Sequence, residues 1–307
     1  MSISQALILG VIQGLTEFVP VSSTAHLFLA QAIMGIRNDQ SALTFDIVLH
    51  LGTAAALIAS TRRELAAILM EAVRWSRGEP ARDPVGRAML VPLVVGTIPG
   101  VLAGLFLLKR FEQFRTLGLI GASMIFACGF FFLAEGIADR RRAGERNLAQ
   151  LDARDGVWIG LAQAAAGLMA GFSRSGMTIA TGKLLRFRRE DAARFSFLLA
   201  LPIILGAGAK ALLDLRKASG PTASGSLLLA GFAGAAVTGY LAIEVLLKLL
   251  KTHSLRPFGI YLGLLGLLLV LATAIPGFLP FLPRSDGEAV AVQGEGAPEG
   301  SRLSRTP

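Results

Sequence analysis

Gly171-Phe172-Ser173-Arg174-Ser175-Gly176-Met177-Thr178 places one arginine and three hydroxyls inside a long apolar run. An arginine near the middle of a bilayer costs about 3 kcal/mol or more, so such a residue reads as functional by default. A planar guanidinium flanked by hydroxyls is suited to holding phosphate oxygens. The neighbouring glycines let backbone N–H groups approach the same anion. A helix-end arginine whose head snorkels to the lipid headgroups is the plain structural alternative.

The surroundings of this stretch define the class. The chain has 307 residues, 53% of them apolar, and 35 glycines. Its mean hydropathy is +0.61. Apolar runs of membrane-spanning length fall at about 43–61, 88–108, 116–138, 194–215, 227–250 and 258–282. Two further apolar segments, about 2–34 and 157–182, are interrupted by Gly, Ser, Thr, Pro or charge. Non-helical backbone at membrane depth is tolerated where protein shields it or where it lines a cavity. Strand-like alternation is absent, which argues against a β-barrel. The net charge of +9 resides in short loops and reads as a topology signal, not as a nucleic-acid footprint. Cys128 is the sole cysteine, so a disulfide or a thiolate metal site is excluded. The N-terminus has no basic n-region and no A-x-A site, and is expected to be mature sequence. Residues 283–307, rich in Gly, Pro, Ser and Glu, are expected to form a disordered tail.

The two halves resemble each other at a spacing of 150 residues. Gly10, Gln13, Ser23, Phe45 and Leu49 fall on Gly160, Gln163, Ser173, Phe195 and Leu199. Such an offset indicates an internal duplication, with repeats over about 1–140 and 151–282 of one membrane domain, 1–282. Charge then separates two topologies. If both interrupted segments return to their side of entry, loops 62–87, 139–156, 183–194 and 251–257 share one face with 18 Lys and Arg, against 6 on the other. If both cross, the division is 13 to 11. The positive-inside rule favours the first. The expected fold is therefore all-α and polytopic, an inverted-topology repeat with six transmembrane helices and two re-entrant helical hairpins. The hairpin tips, near Ser23 and Ser173, are expected to meet at mid-depth.

The first hairpin reads Gln13-Gly14-Leu15-Thr16-Glu17-Phe18-Val19-Pro20-Val21-Ser22-Ser23-Thr24-Ala25-His26. Gln13 and Glu17 share a helix face, and Pro20 marks a break before the hydroxyl run. Glu17 can hold a divalent cation or take a proton. His26 can serve as base or nucleophile, and Ser23 is the alternative nucleophile. Arg174, Ser173, Ser175 and Thr178 would hold phosphate and stabilise developing charge. Asp46 and His50, four apart in a span, carry lower weight. An inverted-repeat transporter of a lipid phosphate or other anion is the rival class.

Gln13 to His26, Phe172 to Thr178, and the Phe195-Ser196-Phe197-Leu198-Leu199-Ala200 run before Pro202 resemble the undecaprenyl-diphosphatase family of bacteria, also known as bacitracin-resistance proteins. The similarity covers roughly residues 1–282. It implies hydrolysis of undecaprenyl diphosphate to undecaprenyl phosphate and inorganic phosphate in the bacterial inner membrane, recycling the carrier for peptidoglycan synthesis. It also implies a divalent cation, magnesium or calcium, and bacitracin resistance. Its partners would be the lipid substrate and membrane lipids, with no nucleic acid; a homo-oligomer is left open. By motif position, Gln13 and Glu17 fall on the family's acidic pair, Ser23 and His26 on its hydroxyl and histidine, and Ser173, Arg174 and Thr178 on its phosphate motif. Gln13 stands where glutamate is frequent, which bears on a metal site built from Glu17 and Gln13. Phe172 and Ala170 depart from the usual small or polar residue and proline.

Overall fold

The computed structural model describes residues 1–36, 40–107, 110–111, 116–140, 145–217 and 224–275; for 40–43, 211, 212 and 214–217 the description covers backbone alone. The proposed tail and the loop cations Arg37, Lys109 and Arg115 lie outside the described residues. Eleven α-helices and no strand occur among them. They are α1 (Ile3–Phe18), α2 (Ser23–Ile33), α3 (Gln40–Ser60), α4 (Arg62–Ser76), α5 (Pro84–Leu102), α6 (Leu117–Arg140), α7 (Ala153–Leu168), α8 (Arg174–Leu184), α9 (Arg189–Lys217), α10 (Gly225–Leu250) and α11 (Arg256–Ala274). Five helical stretches, within 84–107, 117–140, 189–210, 225–250 and 256–274, are long and apolar enough to cross a membrane. A sixth results if α3 and α4, bent by 76° at Thr61, are counted together. The chain is thus an all-helical, multi-pass membrane protein.

Local sequence sets the helix ends. Ser2 and Gln5 form a capping box at α1, and Asp152 and Asp155 another at α7. Asp83 caps α5 by accepting from the backbone N–H groups of Val85 and Gly86, with Pro84 in the first turn. Asp152 accepts the N–H of Asp155, which holds its carboxyl below the usual carboxylate value. Within α5, Pro92 and Pro99 each remove a backbone donor, and the helix runs into a π-helical turn at Ala103–Leu107.

The helices pack in corresponding pairs. α1 lies along α10, and α7 lies along α5; α3 also meets α10, as α9 meets α5. Backbone contact makes both seams. A β-carbon at Gly10 would collide with the carbonyl of Gly231, and one at Gly160 with the carbonyl of Gly96. Small residues allow this close approach where apolar burial alone gives little drive. α6 pairs with α11, and α3 with α9.

Each interrupted segment has its two ends together. Gln5 Nε2 at the start of α1 donates to the Met34 carbonyl just past α2, at 3.4 Å. Just before α7, Arg146 donates to both Asp155 oxygens (2.9 and 2.6 Å) and to the Leu185 carbonyl just past α8 (3.3 Å). Its backbone pairs with Arg186 and Arg188, and its guanidinium lies 4.3 Å from the Phe187 ring centroid.

Charged side chains tie four connecting segments into one end of the molecule. Arg194 reaches Glu64 at 2.6 Å, Arg256 reaches Asp139 at 2.6 Å, and Lys251 reaches Glu190 at 3.6 Å. Lys183 pairs with Glu145, and Arg189 clamps the fully buried Glu135 at 2.8 and 2.5 Å. Among the described residues, every ion pair except the two made by Glu17 lies at this end.

Candidate active site

Both interruptions turn on a serine in an unusual backbone conformation. Ser22 (φ 70°) precedes α2, and Ser173 (φ 58°) precedes α8. A non-glycine residue there costs about 1–2 kcal/mol, so surrounding contacts must hold it. The spacing explains how the tips differ. α1 and α7 lie 150 residues apart, whereas α2 and α8 lie 151 apart, so the second tip is one residue longer. Gly171, at φ 104° and too close to the Ile120 carbonyl for any β-carbon, takes up that residue. Ser173 therefore matches Ser22 in the fold, and Arg174 matches Ser23.

The two tips touch through Glu17. Its Oε1 accepts from Arg174 Nη2 at 2.5 Å. Its Oε2 accepts from Gln13 Nε2 at 2.9 Å and from Ser23 Oγ at 2.8 Å, and lies 3.7 Å from His50 Nε2. The Glu17 side chain is 5% exposed and that of Arg174 19%. The carboxylate is thus buried, with its charge matched by the guanidinium and three hydrogen-bond donors on its oxygens. A second contact, from Ser175 Oγ to the Val19 carbonyl at 3.4 Å, joins the same tips.

Two polar atoms at this hub are buried without a hydrogen-bond partner: Arg174 Nη1 and Gln13 Oε1. An unmatched buried donor costs about 1–3 kcal/mol, and such atoms concentrate where a ligand completes the set. Arg174 lines a cavity of about 310 Å³ whose polar wall also includes Glu17, Ser22, Ser23, Thr24, His50 and Ser173; the fully buried Gln13 stands behind Glu17 and does not line it. Its apolar wall includes Ile47, Ile203, Ile204 and Ala207.

The other anticipated residues divide. Ser173 lines the cavity and caps α8 through the Gly176 N–H (3.3 Å). Ser175 and Thr178 do not line it. Thr178 Oγ1 bonds back to the Arg174 and Ser175 carbonyls and meets Ser196 Oγ at 2.5 Å, all buried, so it braces the start of α8. His26 also lies outside the cavity wall. Its Nδ1 meets the Ser22 carbonyl at 2.9 Å and its Nε2 the Tyr261 hydroxyl at 2.6 Å, with the rings stacked at 5.7 Å. His50 is the imidazole that faces the carboxylate. Its Nδ1 is occupied by the Asp46 carbonyl at 2.8 Å, which directs Nε2 towards Glu17. Asp46 itself accepts from Gln31 at 2.7 Å. The signal for His50 was an ionisable residue inside a span.

Comparison with known proteins falls on this geometry. The family described as Bacitracin resistance protein BacA matches residues 6–268. The chain belongs to that family. An undecaprenyl-diphosphatase of Rubrobacter xylanophilus is 41% identical over 260 residues, 84% of this chain and 93% of the relative. That of Geobacter sulfurreducens is 40% identical over 267 residues, 87% and 96% of the two chains. That of Thermomicrobium roseum is 38% identical over 282 residues, 89% and 99%. The part matched to the bacitracin-resistance family contains the whole Glu17–Arg174 hub and both tips, and it stops short of the C-terminal tail.

Proposed function

We propose that this bacitracin-resistance family protein hydrolyses undecaprenyl diphosphate to undecaprenyl phosphate and inorganic phosphate in the bacterial cell membrane. The observation that carries the reading is the contact between the tips: a buried carboxylate holding an arginine with a free Nη1 and a serine hydroxyl at one cavity wall. Phosphate release from undecaprenyl diphosphate by the purified protein in detergent tests it. No release with intact, folded protein would refute it.

The chemistry follows from competition for Arg174. In the free protein its guanidinium neutralises Glu17. A diphosphate entering the cavity offers more negative charge than one carboxylate, so it draws the guanidinium towards phosphate oxygens and engages Nη1. Glu17 then loses its counter-charge and becomes a stronger base next to the Ser23 proton it already accepts. Ser23 Oγ attacks the terminal phosphorus, its proton passes to Glu17, and the bond from that phosphorus to the bridging oxygen breaks, releasing undecaprenyl phosphate. Water then attacks the phosphoserine, its oxygen joining phosphorus and one proton returning to Ser23 Oγ; inorganic phosphate leaves, and Glu17 gives up the proton it took to solvent, which restores the starting state. Arg174 and the Ser173 tip stabilise the charge on the transferring group. Trapping of a phosphoenzyme, mapped to Ser23, tests this order of steps.

Among the described residues no three acidic, histidine or cysteine side chains gather as a metal site, so a divalent cation would have only two protein ligands here, Glu17 and the unpartnered Oε1 of Gln13. When bound it would neutralise charge on the diphosphate oxygens. One carboxylate already paired with arginine leaves the fixed charges summing to zero, so the diphosphate itself must supply most of the attraction.

The fold proposed around this site has both interrupted segments returning to their side of entry, in two inverted repeats. The meeting of the segment ends at Gln5–Met34 and Arg146–Leu185 supports it, as do the ion pairs that gather four loops at one end. Helices α2 and α8 have 11 residues each, about 16 Å of rise, against a hydrocarbon core about 30 Å thick. Tips approaching from opposite faces would therefore meet near the middle. We place the arginine-rich end in the cytoplasm. Cavity-lining Ala207 stands about 27 Å along α9 from Arg189, so the cavity would open towards the outer face. A cavity of this size takes the diphosphate but not the prenyl chain. The apolar groove of Leu93, Val94, Thr97, Ile98, Val101, Leu102 and Pro202, adjoining cavity residue Ile203, fits that chain.

A further inference from the structure

Helix α4 is unlike the other helices of its length. It follows α3 after Thr61 and turns away by 76°. With its 21 residues, about 32 Å of rise, α3 is long enough to be the crossing arm of this bent pair, which leaves α4 close to the membrane plane. Its level is fixed at the arginine-rich end by Glu64, which pairs with Arg194 on α9 at 2.6 Å. One face is buried: Ile68 packs inward, and Glu71, 2% exposed, accepts the backbone N–H groups of Arg82 and Asp83 at 3.0 Å each.

The opposite face is an unsheltered apolar row. Leu69, Met70 and Val73 are 66%, 62% and 49% exposed. At one end of the row stand Arg62 and Arg63, each seven residues (two turns) before Leu69 and Met70, and at the other Arg77, four after Val73; all three are exposed and share that face. The acids of this segment are occupied elsewhere. Glu64 holds Arg194, Glu71 and Glu79 hold Arg74, and Asp83 caps α5. Among the described residues, Arg62, Arg63 and Arg77 make no ion pair.

We propose that α4 is an interfacial anchor for anionic phospholipid. Leu69, Met70 and Val73 enter the boundary between headgroups and acyl chains, and Arg62, Arg63 and Arg77 bind headgroup phosphates. An in-plane helix with an apolar row between arginines, at the level where the spanning helices end, is placed for this partner and not for an aqueous one. The inference does not depend on the catalytic reading.

The test uses the full chain in lipid nanodiscs. With Cys128→Ala, spin labels at Leu69→Cys and Val73→Cys should collide with oxygen in preference to a water-soluble nickel chelate. Spin-labelled phosphatidylglycerol should be retained over phosphatidylcholine by the unlabelled protein, with each arginine worth up to about fivefold. Arg63→Gln/Arg77→Gln should lower that preference by up to about 25-fold, leaving the share of Arg62, while phosphate release in detergent stays unchanged. Preferential collision with the nickel chelate would overturn the placement. A phosphatidylglycerol preference unaltered by the double substitution would overturn the lipid contact. Shielding of both labels from both probes, with Leu69→Cys cross-linking between copies, would instead assign the row to self-association and refute the anchor.

Discussion

Removing Arg174 should damage stability and chemistry separately, and the two losses can be told apart. Arg174→Met leaves Glu17 as a buried carboxylate without its 2.5 Å partner. Breaking one side of a buried pair costs about 3–5 kcal/mol, and the 19% exposure of the arginine side chain argues for the lower end. About 3 kcal/mol corresponds to a thermal midpoint lowered by roughly 6–10 °C. Glu17→Gln/Arg174→Met removes both charges, so its midpoint should recover most of that loss. Turnover should not recover. An arginine that stabilises a transferring phosphoryl group is worth about 10³-fold or more. Both variants should therefore release phosphate at under about a thousandth of the native rate. The assay is a thermal melt in detergent beside phosphate release from undecaprenyl diphosphate. A double variant as unstable as the single one would show that the pair is not coupled. Arg174→Met within tenfold of native turnover would sink the phosphate-binding role.

Gln13→Glu adds the second carboxylate that the free site lacks. It should bind manganese or calcium without diphosphate at least about tenfold more tightly than the native protein, read by calorimetry. Equal affinities would remove Gln13 from the cation site. Ile98→Trp fills the apolar groove, where Ile98 is 49% exposed, and should raise KM several-fold while kcat holds. A fall in kcat alone would place the prenyl chain elsewhere. The backbone N–H groups of Asp83 and Arg82, with Arg74 nearby, hold the Glu71 carboxyl below its ordinary value. A depressed carboxyl contributes stability above its unfolded value and loses it as pH falls. The melting advantage of native protein over Glu71→Gln should thus be full at neutral pH and shrink through the acidic carboxylate range. An advantage constant with pH would refute that account.

What the sequence could disclose depended on whether a feature is local or repeated. The 150-residue offset in the sequence links Ser23 to Ser173, and with it the segments whose Glu17 and Arg174 meet across 157 residues of chain. The extra residue in the second tip lay hidden, because an identity count tolerates a shift of one; the helix starts, the positive φ angles of Ser22 and Ser173 and the bend at Gly171 locate it. Thr178 stands outside the cavity wall for a local reason. Four residues after Arg174 on a helix, a threonine hydroxyl turns back to the carbonyl one turn earlier, and its remaining capacity goes to Ser196. The histidines differ for a tertiary reason. His26 follows the hydroxyl run closely in sequence, yet α11 supplies Tyr261 and holds its ring outside the cavity wall. His50, read beside Asp46 in a span, reaches Glu17 because α3 packs against α1. Helix α4 escaped because its arginines lower any averaged hydropathy. Its outward apolar row emerges only when the face is separated from the buried Glu71 and Ile68. The order matters for the chemistry. Backbone strain at two serines fixes where the tips end, and glycine seams fix how closely α1 and α7 pack on α10 and α5. Only then does a single carboxylate find an arginine and a hydroxyl at once, an arrangement that no short motif encodes.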